Sequence, residues 1–587
     1  MTIPAKRRLP AAVLAGWTVS FVAGVWLVRA IRPALLVESE PSWAAPRLLL
    51  SLLVIGLAVL VGAVAGALFF LWSGTPVASD DLAALPLSRA SLALVAGAAI
   101  AAGTLLRFAT LDRIPNVLWI DDASLIEPAL ALAGRPGDFA DAVRPAPFGI
   151  PKPYGSVGVL YLEAYRASLR AFGATVFGVR FPSALAGCLS LGTAALLGRA
   201  LLPAGGGALA ALALAGMRWS LIQSRWGWNQ IVLAPIADLA ALLVLRARRQ
   251  SSAAAALGAG ALAGLGAHVY LSAWIVAGAL VAFAGWPAEK AGLSKRVRLA
   301  GFVLLGFALA AAPLFLFREG RRAPYFARAR DHNVVMEISR ERSWLPPLAA
   351  AADAVVSPWL LADPSPRNDL PGRRRLGWIL GVPVLLCLGR ALLRPRAELS
   401  ALLFAHAGAA LAATVAGGQA DTPNGARFAY LTGPTAIAAA AGALALVGAA
   451  AGKWRRPATL LMVGAIAIAG ALATRDALRV WPERRETFDG FHGQDTLIGR
   501  AAARWGEFGE VFVEPGLGHS DILITAGRRF RLGARRMLPG DAGRAARQFR
   551  IGGSQTPPAG DERVVERVRD AWGREWAVVL ALRSPAA

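Results

Sequence analysis

Long apolar runs, cut apart by short polar joints, fill most of this chain. They lie at 9–28, 48–72, 90–108, 178–202, 206–219, 229–246, 253–268, 271–286, 299–317, 376–393, 400–417, 430–452 and 457–474. A helix crossing a bilayer needs ~20 mostly apolar residues. The pattern therefore predicts an all-α polytopic membrane bundle of about thirteen transmembrane helices over residues 1–474. Two polar stretches interrupt the series, 109–156 and 318–375. Beyond 474 the period shortens. Glu510-Val-Phe-Val-Glu514, Ile522-Leu-Ile-Thr-Ala526 and Val578-Val-Leu-Ala-Leu582 read as strands, while Ala542 to Phe549 and Asp561 to Trp572 read as helices. Residues 475–587 are thus expected to form a small C-terminal α/β domain.

The joints carry a sign. Lys6, Arg7 and Arg8 precede the first run, and Arg29 stands where a signal peptide would need small residues, so the run reads as a retained span with a cytoplasmic N-terminus. Counting from there, the cytoplasmic joints include Arg246-Ala-Arg248-Arg249, Lys290 to Arg298, Arg394-Pro-Arg396 and Lys453-Trp-Arg455-Arg456, all short and basic. The loops 109–156 and 318–375 and the tail then fall outside a cell (inner) membrane. The second loop is rich in arginine, from Arg318 to Arg342. Long loops translocate regardless of charge, and clustered arginines also suit phosphate. Both readings stand.

Composition agrees with lipid as the solvent. The 587 residues are 56% hydrophobic and only 17% charged, against ~45–50% and ~25% in soluble domains. Disorder is excluded by the same figures, and a disulfide scaffold by the presence of only two cysteines. The net charge of +25 would point to nucleic acid in a soluble chain. Much of it sits between apolar runs, so a lipid phosphate is the better anionic partner and no nucleic acid is expected.

Chemistry concentrates in the outside segments. Leu118-Trp-Ile-Asp121-Asp122-Ala-Ser-Leu-Ile-Glu127 places two carboxylates just past a span. They could be a general base and its neighbour, a metal site, or a helix cap, since Asp122 is well placed to accept from free amides. Gly149-Ile-Pro-Lys152-Pro-Tyr154-Gly155 holds a lysine on a stiff turn at headgroup level, where snorkelling is the plainer role. Arg180, in Val179-Arg-Phe-Pro-Ser183, stands at the mouth of a span as an anchor or a site residue. His268 and Tyr270 end another span and read more readily as a structural polar pair. The five histidines are scattered without ligand spacing, so neither a metal nor a cofactor is expected.

The order of these motifs resembles the GT-C integral membrane glycosyltransferases. The nearest branch is that of the protein mannosyltransferases and the lipid A aminoarabinose transferase, glycosyltransferase family 39-like. Residues 105–249 carry most of it: the carboxylate pair, Lys-Pro, Phe172-Gly, Val179-Arg and Pro182-Ser-Ala-Leu-x-Gly187. Ala426-Arg427-Phe-Ala-Tyr430-Leu-Thr-Gly-Pro434 is similar to the family's basic, aromatic entry to a late span. The resemblance implies a GT-C fold, a catalytic acid at Asp121, and Asp122 where glutamate is commoner. It implies a phosphate-binding Lys152, with Tyr154, Arg180, Arg225, His268, Tyr270, Arg427 and Tyr430 as further substrate contacts. No acid closely follows Arg225, unlike the family pattern, and the runs 9–28 and 48–72 exceed its usual single leading span. The Trp-Trp-Asp motif of oligosaccharyltransferases is absent.

The expected function is inverting transfer of a sugar from a polyprenyl-phosphate donor to an acceptor hydroxyl on a protein, lipid or glycan, at the extracytoplasmic face. A multi-span transporter is the main alternative. It predicts inverted repeats and charge near the bilayer midplane, where Asp238 is the plainest acid. A lipid-linked sugar polymerase or ligase is the other, and it would concentrate its chemistry in 318–375.

Overall fold

The computed structural model describes residues 82–119, 121–122, 125–126, 158–173, 175–287, 292–315, 338–339, 343–345, 352, 363, 365–417, 425–506, 508–514, 517, 534–536, 548–558, 560 and 562–582. The expected spans 9–28 and 48–72, the strand 522–526, and Lys152 and Tyr154 lie outside these residues.

Each of the other expected spans is a helix. They are α1 (Arg89–Phe108), α3 (Val176–Leu201), α4 (Gly206–Ala215), α6 (Leu233–Gln250), α7 (Ala253–Ala267), α8 (Ala273–Gly285), α9 (Leu293–Ala311), α10 (Gly377–Leu393), α11 (Glu398–Gly417), α12 (Thr432–Ala449) and α13 (Arg455–Arg475). Seven helical stretches among the described residues are long and apolar enough to cross a membrane, and four shorter apolar helices accompany them. Among the described residues of this bundle, two helices were not expected. α2 (Val159–Phe172) buries Tyr161, Leu162, Tyr165 and Leu169 along one face, and α5 (Arg218–Gln223) is a buried single turn and a half.

With no apolar–water contrast between helices in lipid, close backbone approach holds them together. Gly260 and Gly264 on α7 form a G-x-x-x-G face toward α9. A Cβ on Gly260 would lie 1.9 Å from the Val303 carbonyl oxygen, so only glycine fits. The outward leucines stay bare, among them Leu94, Leu309 and Leu461.

The joints sort to two ends. At one, Arg249 pairs with Glu398 (2.5 Å), Arg248 donates to the Phe283 carbonyl (2.5 Å), and the Trp286 indole donates to the Pro395 carbonyl (2.7 Å). These are segments expected on the cytoplasmic side. At the other end the expected outside segments meet, as described below.

The tail carries α14 (Arg485–Gly490), α15 (Gly493–Trp505) and a sheet of β1 (Glu510–Val513), β2 (Ala534–Arg536), β3 (Gln548–Gly553), β4 (Glu562–Arg569) and β5 (Glu575–Leu582). The order is β2-β1-β3-β5-β4, parallel across β2, β1 and β3 and antiparallel across β3, β5 and β4. Two expectations fail here. Gln548 and Phe549 open a strand, and most of 561–572 is β4, not a helix. The run Glu562-Arg-Val-Val-Glu-Arg-Val-Arg569 mixes charge and valine in a way that fits either period. Its place at a sheet edge decides: there charged side chains are wanted, and Arg567 and Arg569 pair with Glu575 across the ladder. α15 packs on this sheet through Ile498, Ala501 and Ala502.

Candidate functional site

The segment leaving α1 has few hydrogen bonds of its own, and two buried arginines shape it. α1 ends with unsatisfied carbonyls, a natural seat for a cation. Arg225 fills it, donating to the carbonyls of Leu106 (2.6 Å), Arg107 (3.2 Å), Ala109 (2.8 Å), Thr110 (3.1 Å) and Ile114 (3.2 Å). Arg180, from the first turns of α3, donates to Leu111 (2.9 Å), Pro115 (2.9 Å) and Val117 (2.5 Å). Both are fully buried. Their terminal nitrogens donate to main-chain oxygens, whereas the Nε of each is buried with no partner among the described residues, so both expected substrate contacts are found bracing the loop.

The chain so held delivers Trp119, then Asp121 and Asp122. The two carboxyls part company. Asp121 is partly exposed, whereas Asp122 is wholly enclosed. Asp122 Oδ2 accepts the Gly227 N–H (3.1 Å), and its carbonyl accepts the Tyr165 hydroxyl (2.5 Å). Its Oδ1 is buried with no partner among the described residues. Burial pushes its carboxyl up to about 8, with Asp121 adding to the rise and Arg180 and the Gly227 N–H opposing it. Asp122, expected as a catalytic residue, is held here in an anchoring position between the Gly227 N–H and the Tyr165 hydroxyl.

Gly227 lies in the hairpin Trp226-Gly227-Trp228 between α5 and α6. The two indoles stack at 6.2 Å and 15°. The Gly227 carbonyl accepts the Tyr161 hydroxyl (2.6 Å), and the Trp228 carbonyl accepts Ser183 (2.6 Å). A Cβ on Gly227 would come within 2.8 Å of Val179. His268 and Tyr270 adjoin this floor. The Leu160 N–H donates to the His268 carbonyl (2.9 Å), Asn229 donates to the Val269 carbonyl (2.7 Å), and Tyr270 meets Trp228 edge-on at 6.5 Å. The His268 ring bonds the Ala310 carbonyl (2.9 Å).

The stretch 229–232 carries the site toward the entry of α12. Ile231 and Ala234 pack with Ala429. Arg427 is half-buried there, and Tyr430 is fully buried beside His406, ring centroids 6.3 Å apart. The Tyr430 hydroxyl and His406 Nε2 have no hydrogen-bond partner among the described residues.

Two distant segments close over the Trp119 loop. From the second large loop, Arg367 lies 3.9 Å over the Trp119 ring. That segment is pinned by a buried Arg375–Asp363 pair (2.6 Å) and by Arg218, which reaches both Asp369 (2.6 Å) and Asp476 (3.3 Å). From the tail, Thr496 Oγ1 accepts the Leu118 N–H (3.0 Å), Arg500 donates to the Asn116 carbonyl (2.6 Å), and the His492 ring meets Trp119 at 5.4 Å. Trp481, Phe488 and Phe491 share one apolar cluster with Val117, Trp119 and Trp226. Tyr161, Tyr165, Arg367, Thr496 and Arg500 were not singled out from sequence. Only the tyrosines carried a signal there, their four-residue spacing on one helix face. Among the described residues no group of three His, Cys, Asp or Glu side chains comes together.

Residues 159–315 match the family model described as dolichyl-phosphate-mannose-protein mannosyltransferase. No curated protein matches the chain. Among solved structures, ArnT from Cupriavidus metallidurans bound to undecaprenyl phosphate aligns over 85% of this chain and 99% of its own, at 14% identity and a TM-score of 0.50. The apo state of the same ArnT aligns over 84% and 98%, at 15% identity and 0.48. The oligosaccharyltransferase AglB from Archaeoglobus fulgidus, in complex with an inhibitory peptide and a dolichol-phosphate, aligns over 81% and 65%, at 15% and 0.39. The chain has the GT-C fold.

Proposed function

We propose that this protein transfers a sugar from a polyprenyl-phosphate donor to an acceptor hydroxyl at the extracytoplasmic membrane face. The observation that carries the reading is the division of the carboxylate pair. Asp122 is locked behind the Gly227 hairpin, and its neighbour Asp121 is left partly exposed. That pair lies at the end of a span, in a chain with the GT-C fold whose adjoining segment matches a glycosyltransferase family. The ArnT of that fold binds undecaprenyl phosphate, and by analogy the donor here is a lipid of that class.

In the proposed reaction the acceptor oxygen forms a bond to the anomeric carbon as the carbon–oxygen bond to the lipid phosphate breaks. The phosphate leaves with the electron pair. Asp121 takes the hydroxyl proton as the bond forms, and a single displacement inverts the anomeric centre. Cations near the departing phosphate stabilise the charge it gains. With Arg180 and Arg225 committed to main-chain oxygens, Lys152, Tyr154 and Arg427 are the remaining candidates from sequence for donor contact. The transporter and polymerase alternatives have no observation in their favour.

The test is transfer from a radiolabelled polyprenyl-phosphate sugar by purified wild type, Asp121→Asn and Asp122→Asn. Loss of base catalysis is worth about 10²–10⁴-fold. Asp121→Asn should lose on that order, and Asp122→Asn far less. A folded Asp121→Asn protein with full activity overturns the assignment.

A further inference from the structure

α13 offers its apolar flank to lipid. Leu460, Leu461, Ile468 and Leu472 are 53–76% exposed. Its 21 residues span about 31 Å at ~1.5 Å each, the thickness of a hydrocarbon core. Lys453, Arg455 and Arg456 mark one interface, so Arg475 stands at the other. There the helix widens into a π turn over Asp476–Val480, closed by the Trp481 N–H on the Asp476 carbonyl (2.7 Å). Such turns concentrate at functional sites. Here the inner face holds Asp476, Ala477 and Trp481 against the site cluster, and the outer face carries Arg475 and Arg479.

Arg475, Arg479, Val480, Glu483 and Arg484 line an open hollow of about 420 Å³, within the ~300–1,000 Å³ of small-ligand sites. Three guanidinium groups against one carboxylate leave it with a charge of +2. None of the three arginines makes an ion pair or side-chain hydrogen bond among the described residues. The basic cluster falls on the end of α13 where the positive-inside bias does not call for one. Planar guanidinium forks match phosphate oxygens, and the leucine stripe directly below suits acyl chains.

We infer that the hollow at Arg475, Arg479 and Arg484 is a binding site for the phosphate headgroup of an anionic membrane lipid, separate from the proposed donor site. Its placement in the outer leaflet rests on the orientation proposed above; the binding itself does not.

The test uses the full chain, purified from mixed phosphatidylglycerol–phosphatidylcholine nanodiscs, with retained lipid measured by native mass spectrometry. Wild type should retain phosphatidylglycerol over phosphatidylcholine. The triple variant Arg475→Gln, Arg479→Gln, Arg484→Gln should lose about tenfold or more of that preference, and Glu483→Gln should strengthen it. A charge-matched control in the tail sheet, Arg563→Gln, Arg567→Gln, Arg569→Gln, should behave as wild type. Equal retention by wild type and the triple variant, or an unchanged Glu483→Gln, overturns the site. Displacement of the lipid by inorganic phosphate at equal concentration would assign it to free phosphate instead and overturn the lipid reading. Labelling of Glu483→Cys by an impermeant maleimide in intact cells should succeed. Labelling only after lysis overturns the orientation while leaving the retention result standing. No arm requires sugar transfer, so failure here and failure of the proposed activity are separately visible.

Discussion

Asp122→Asn should invert the order of stability with pH. The Asp122 carboxyl rises from an ordinary 3.8 to about 8, chiefly through burial. That is about four decades of proton affinity, at ~1.4 kcal/mol each, or on the order of 5 kcal/mol. The unfolded chain releases this proton near its ordinary value, while the fold keeps it to about 8. Between those values the fold binds more protons, so its stability is full below about pH 4 and falls as pH climbs toward about 8. Asparagine cannot titrate. It can still accept the Gly227 N–H, but its amide would stand where Oδ1 has no partner, at a cost of ~1–3 kcal/mol. The variant should therefore be less stable than wild type near pH ~4, cross it between about pH 4.5 and 6, and be more stable by about pH 8. Thermal unfolding of the detergent-purified protein, followed by tryptophan emission across that range, reads the crossing. Parallel curves for the two proteins would refute the enclosed, proton-holding Asp122.

Two further substitutions probe the frame around it. Arg225→Met should strip the end of α1 of its cation and leave several carbonyls without a donor, at ~3 kcal/mol or more, seen as poor yield and a lowered unfolding temperature. Arg225→Lys should not rescue it, because an ammonium cannot reach oxygens spread from Leu106 to Ile114. Gly227→Ala places a Cβ 2.8 Å from Val179. The hairpin must shift and with it the Asp122 anchor, so transfer should fall about 10²-fold while the protein stays folded. Unchanged transfer would show that the hairpin does not position the pair.

What could be read from sequence followed from what lipid imposes. The apolar runs from 90 onward became helices because a backbone in hydrocarbon has no other way to satisfy its polar groups. Two of the basic joints met each other, as Arg249–Glu398 shows, and described parts of the polar stretches met the tail, as Arg500–Asn116 shows. The tail was harder. In water both periods are open, and β4 became a strand through its partner β5, whose paired residues lie six to 20 positions along the chain, instead of through its own pattern. The roles of single charged residues were least legible. Arg180 and Arg225 look like phosphate ligands in a motif, yet a buried helix end and a tight loop need guanidinium donors just as much. Nothing local to Asp121-Asp122 says which carboxyl faces inward. That choice is made by Gly227, 105 residues away.

The same long-range bracing changes what the tail is for. A cover over the active-site mouth would touch the site at its rim. Here Thr496 and Arg500 bond the main chain of Leu118 and Asn116, three to six residues before the carboxylates, and Trp481 and Phe491 share the apolar cluster of Trp119. Arg218 ties the start of the tail at Asp476 to Asp369 in the second large loop, whose Arg367 covers Trp119 from the other side. A loop with so few bonds of its own takes its position from these elements together. On the proposed reading of Asp121 as the base, displacing it by ~1 Å would cost ~10²-fold in rate, so the tail would serve to position it. The π turn at Asp476–Val480 joins α13 to that framework, with Asp476 directed to Arg218 and Arg479 to the arginine hollow. A headgroup seated in the arginine hollow would thus press on the same short segment that holds the site loop from behind.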